Sequence, residues 1–147
     1  MKPKRRKHND IDYKQLKRWH PINNEYRLIR DYAIQTSVYG HTLVDNPEGR
    51  GNIRLLKGGL LTLAHGFWWN GPSGPTVDTK TFMRGSLVHD ALYRLIRVGL
   101  IPFHYRDYAD ALLYQICKED GMVGFRAKYA FQAVHTGGVD SALPGGG

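Results

Sequence analysis

The pattern of apolar and polar positions changes period near the middle of the chain. Ahead of His65, apolar residues come in short runs rich in β-branched and aromatic side chains. Tyr26 to Arg30 and Tyr32 to Tyr39 therefore predict strands. The stretch from Asp45 to Asn52, with Pro47, Gly49 and Gly51, has the residues of a turn. Beyond it, Ile53 to Leu56 and Leu60 to Ala64 predict a hairpin across Gly58-Gly59, and so a small antiparallel sheet. From Thr79 to Val98 the spacing is helical: Phe82, Leu87, Val88, Ala91, Leu92, Leu95, Ile96 and Val98 fall on one broad face. Asp78 or Thr79 is placed to cap its start and Gly99 to end it. A second helix is predicted over Tyr105 to Glu119, stopping near Gly121, and a third over Val123 to His135, ending at Gly137-Gly138. Between the two halves, Gly66 to Pro75 carries four glycines and prolines after Trp69, the chemistry of a shaped loop. The predicted fold class is α+β: a small N-terminal antiparallel sheet, a Gly/Pro loop, and a three-helix C-terminal half.

Composition limits this to one core. The 147 residues are 41% hydrophobic and 12% aromatic, which suits a single domain. That domain is expected over residues 21–138, with a flexible basic arm over 1–20 and a flexible tail over 139–147. The formal charge is +8, and most of it lies in the arm, which holds Lys2, Lys4, Arg5, Arg6, Lys7, Lys14, Lys17 and Arg18 against Asp10 and Asp12. Lys4, Arg5, Arg6 and Lys7 are the candidate binding residues of this arm, for nucleic acid phosphates or an anionic membrane; an ordinary solvated terminus explains them equally well. The lone Cys117 excludes an internal disulfide and reads as a small core residue on a helix. No apolar run approaches the roughly 18 residues that span a bilayer, and no apolar stretch follows the basic start as in a signal peptide. A soluble protein is the expectation.

The candidate chemistry sits on the first two helices. His89 and Tyr93 are four residues apart and share a face, while Asp90 is turned by about 100° toward a neighbouring surface. The short connection from Gly99 to His104 makes the two helices antiparallel neighbours, so Asp110 can return to the imidazole of His89. There it would accept the ring's N–H bond and fix the tautomer. Asp90 could hold a hard cation if the loop from Asn70 to Gly74 supplied backbone oxygens as well. This is the inventory of a metal-assisted hydrolase. Each part has a plainer explanation: a hydrogen-bonded core histidine, Asp107 and Asp110 on a solvated face, and Phe67, Trp68 and Trp69 as core anchors. His65 and His104 lack the paired spacing of zinc ligands, and Ser86 lacks the strand-to-helix elbow of a nucleophile.

At Gly71-Pro72-Ser73-Gly74, His89-Asp90-Ala91-Leu92-Tyr93 and Tyr108-Ala109-Asp110 the chain resembles phospholipase A2, especially the disulfide-free form in parvovirus capsid proteins. The resemblance implies His89 as general base, Asp110 as the orienting acid and Tyr93 as its partner. It implies Asp90, Gly71 and Gly74 as ligands of calcium, with water attacking a phospholipid acyl ester. A longer stretch, Leu63 to Gly138, is similar to an uncharacterised domain family frequent in tailed phages and prophages. That similarity implies a phage or prophage protein, in the virion or the host cytoplasm, and the two resemblances together imply a phospholipid membrane or other virion proteins as partners. Three function classes follow: a calcium-dependent lipid ester hydrolase, a non-catalytic tail or head-tail component, and an HD-type metal phosphohydrolase that would have to enlist His65 and Asp140.

Overall fold

The computed structural model describes residues 10–16, 25–46, 49–70 and 80–142, with side chains described as far as residue 136. Among the described residues seven strands precede three helices, an α+β arrangement. The strands are β1 (Tyr13–Leu16), β2 (Glu25–Leu28), β3 (Tyr32–Gln35), β4 (Leu43–Asp45), β5 (Ile53–Leu55), β6 (Leu60–Leu63) and β7 (Trp68–Asn70). The helices are α1 (Lys80–Arg97), α2 (Tyr105–Glu119) and α3 (Gly124–Ala142).

The strands form two antiparallel sheets where the sequence pattern predicted one. The first has the order β1-β2-β7 and the second β3-β6-β5-β4. Ile53, Leu55, Leu61 and Leu63 alternate inward from β5 and β6, with Arg54 exposed between them, so period-two patterning fixes which face packs. The turn between these strands needs Gly59, at φ +91°, because a Cβ there would run into the Thr36 carbonyl oxygen.

Several boundaries differ from the expected ones, each for a physical reason. The basic arm does not run free through residue 20: Tyr13–Leu16 pairs with β2, and the Tyr13 ring packs edge-on against Tyr26 and Trp69. Within the predicted Gly/Pro loop, Trp68–Asn70 is a strand, because its partner β2 lies far back in sequence (Arg27 opposite Trp68). The strand expected over Tyr32 to Tyr39 stops at Gln35, where Thr36 turns its hydroxyl onto the Gly59 carbonyl. Helix α3 runs through Gly137-Gly138 to Ala142, into the segment expected to be a flexible tail. Asp78, Thr79 and the loop glycines Gly71 and Gly74 lie outside the described residues, as do Lys4, Arg5, Arg6 and Lys7.

The main core joins the inner faces of the strands to α1 through Phe67, Trp69, Leu87, Val88, Leu92 and Leu95. Trp69 is fully buried and donates its indole N–H to Ser86 Oγ at 3.1 Å, docking β7 on α1. A smaller cluster of Phe82, Leu113, Cys117, Met122, Ala127 and Ala130 seats α3. Gly85 lets α1 and α2 approach closely, since a Cβ there would stand 2.9 Å from Leu113 Cδ1 and 3.0 Å from Cys117 Sγ. Burial pushes the Cys117 thiol up to about 12, consistent with an inert core residue. Among the described residues no helix is long and apolar enough to cross a membrane.

Candidate functional site

Helix α1 stops at Arg97, Gly99 follows at φ +80°, and the chain returns through Pro102 into α2, so the middle of α1 faces the first half of α2. This places Asp110, fully buried, opposite both His89 and Tyr93. His89 Nε2 lies 2.8 Å from Asp110 Oδ1, and the Tyr93 hydroxyl donates to the same oxygen at 2.6 Å. The His89 and Tyr93 rings lie against each other with centroids 4.1 Å apart, so packing as well as bonding holds the imidazole. The three residues picked out by spacing thus meet.

A fourth comes from α3. His135 Nδ1 lies 3.1 Å from Asp110 Oδ2, and its ring stacks on Phe131 at 5.3 Å. Arg106 Nη2 donates to the His135 carbonyl at 2.9 Å, while Arg106 Nη1 stands 3.9 Å from Asp110 Oδ2. No motif pointed to His135, because its distance in sequence from Asp110 has no helical or strand period.

Burial alone would raise the Asp110 carboxyl, yet the hydrogen bonds from His89 and Tyr93, and then His135, outweigh it and hold it below the usual carboxylate range. Asp110 is therefore an anion, and an anion only accepts. His89 must carry its proton on Nε2, which leaves the Nδ1 lone pair to take a proton from elsewhere. Burial, with the hydrogen bond to Asp110 adding to it, raises the Tyr93 hydroxyl, so Tyr93 is a donor and not a base. Ser86 Oγ donates to the Met83 carbonyl at 2.9 Å and receives the Trp69 indole, the bonding of a structural serine.

Asp90 does turn away from this cluster, but toward a cation of the protein. Its Oδ2 lies 2.8 Å from Nη2 of the fully buried Arg94, one helical turn on. Arg94 also donates through Nη1 to the Trp68 carbonyl at 2.7 Å and lies over the Phe67 ring at 5.0 Å. Burial pushes the Asp90 carboxyl up, and Arg94, His89, Arg50 and Arg97 pull it back only in part. The described residues do not fit a hard dication, which needs several anionic or carbonyl oxygens. They offer one carboxylate already shared with a guanidinium, in the field of two more arginines. Among the described residues no cluster of three His, Cys, Asp or Glu side chains is arranged to hold a metal.

The arrangement can do one thing chemically: orient the His89 imidazole, with 14% of its side chain open to solvent, over a buried anion that leaves Nδ1 as the proton-accepting atom. His65, by contrast, bonds Asp31 on the surface, far in sequence from this cluster. Comparison with family models, with curated proteins and with solved structures gave no match.

Proposed function

We propose that this is a phage-associated hydrolase of phospholipid acyl esters in which His89 is the general base. The observation that carries the reading is the 2.8 Å bond from His89 Nε2 to a buried, ionised Asp110, with Tyr93 bracing the same oxygen. In this mechanism a water donates its proton to His89 Nδ1 as its oxygen bonds the ester carbonyl carbon. Asp110 stabilises the imidazolium that forms and keeps the ring from turning. As the tetrahedral intermediate collapses, the C–O bond to the glycerol oxygen breaks, and His89 returns its proton to that leaving oxygen. The products are a fatty acid and a lysophospholipid. Asp90 stays paired with Arg94 and takes no part in these steps.

The test is fatty acid release from mixed phospholipid vesicles, with excess calcium and with chelator, by wild type and His89→Ala. Release that the substitution abolishes supports the reading, and the two ion conditions decide whether a dication takes part. No release from a folded wild-type protein in either condition overturns it.

A second reading has its own support: a virion structural component, in the tail or at the head-tail junction, that uses the cluster only for packing. Asp110 ties together α1 through His89 and Tyr93, and α3 through His135, which is what a purely architectural buried anion would do. In that case His89→Gln leaves particle assembly intact and no lipid is turned over. The basic arm would then dock on other virion proteins or on nucleic acid.

A further inference from the structure

We propose that His135 is a positioning residue of the site: it holds the second oxygen of Asp110 and thereby fixes how the carboxylate meets His89. The proposal deepens the reading of His89 as the base and rests on it for its functional meaning.

A carboxylate can rotate about its Cβ–Cγ bond, and the rotation is stopped only if both oxygens are held. Oδ1 is held from α1 by His89 and Tyr93. Oδ2 has Arg106 Nη1 at 3.9 Å, beyond hydrogen-bonding distance, so among the described residues its bond comes from His135 Nδ1 at 3.1 Å. The ionised Asp110 requires His135 to carry its proton on Nδ1. His135 is itself fixed at two places, its ring by Phe131 and its carbonyl by Arg106 Nη2. Helix α3 thus reaches the catalytic imidazole through a single buried carboxylate. The His135 side chain is 43% exposed and the His89 side chain 14%, so the orientation of the inner ring is braced from a more open position.

The experiment reads ring protons by NMR at about pH 8.5, above the ordinary imidazole range. The nitrogen shifts of wild type should show His135 with its proton on Nδ1 and His89 with its proton on Nε2. In His135→Phe, which keeps the stack on Phe131 but donates nothing, exchange of the His89 Nε2–H with water should quicken on the order of tenfold, about the worth of one hydrogen bond. His135→Asn, whose amide N–H can stand where Nδ1 stands, should restore slow exchange. An unchanged rate in His135→Phe, a failure of His135→Asn to restore it, or wild-type His135 protonated on Nε2 would each overturn the proposal. The wild-type shifts decide the matter even if His135→Phe does not fold. Since none of these readouts needs turnover, an inactive but correctly bonded protein sinks the hydrolase reading and leaves the positioning geometry standing.

Discussion

Two buried charges tie α1 to α2, and they are made of opposite materials. Near the start of α1, Arg84 is 4% exposed and bonds Asp120 through Nε and Nη2, Glu119 through Nη2 at 2.7 Å, and the Tyr32 hydroxyl through Nη1. Burial works against its charge, but those bonds outweigh burial and raise its affinity for the proton further. Opposite the middle of α1, the buried group is the α2 anion Asp110, ringed by two imidazoles and a phenol. Both clusters fasten the same helices. Only the second contains imidazoles, one of them partly open to solvent, so similar burial does not mean similar chemistry.

The sharpest separation should come from His89→Gln. If the cluster is catalytic, ester hydrolysis falls by about 10²- to 10⁴-fold. The urea midpoint should meanwhile move little, because Gln can still reach toward Asp110. A midpoint collapse with no activity to lose would put the two clusters in one class. Arg84→Met is the converse. It strands Asp120 and the Tyr32 hydroxyl and should cost about 3–5 kcal/mol by denaturant unfolding. The molecules that remain folded should hydrolyse ester at the wild-type rate; a matching loss of turnover would erase the distinction between the clusters.

Gly85→Ala probes the contact between the helices without touching either charge. The new methyl meets Leu113 and Cys117 and should cost about 1–3 kcal/mol through overpacking. The smallest effect expected is in acid. The Asp110 carboxyl lies below its ordinary value when folded, so its contribution is complete above about pH 4, the unfolded value, and is lost as pH falls through the lowered one. Glu119 is lowered as well, by its bond to Arg84, and titrates in the same direction. Asp110→Asn should therefore flatten the decline of stability below about pH 4 but not remove it. A decline of unchanged steepness would assign the acid response to the other lowered carboxyls, Glu119 and Asp31.

Helical periodicity made α2 legible from Tyr105 to Glu119, and the four-residue step from His89 to Tyr93 put both on the face that meets Asp110. What escaped was information that is not local. Strand β7 is short and flanked by glycine, and only β2, more than forty residues earlier in the chain, makes it a strand. Gly137-Gly138 reads as a stop, yet α3 continues through it. His135 had no motif to announce it, whereas the pairing of Asp90 with Arg94 is an i,i+4 spacing visible in the sequence. The calcium reading of Gly71 and Gly74 falls outside the described residues.

The pairing of β2 with β7 has a kinetic consequence. All of β3 to β6 lies between these two strands in sequence, so closing them costs the entropy of a long loop, whereas α1 and α2 are joined by a short one. Contacts close in sequence form first. The helical pair that carries His89, Tyr93 and Asp110 is expected to assemble early, and Trp69 on β7 to reach its buried place against Ser86 among the last events. Tryptophan fluorescence would then follow the completion of the fold, while far-ultraviolet circular dichroism would follow the appearance of the scaffold that holds the imidazole.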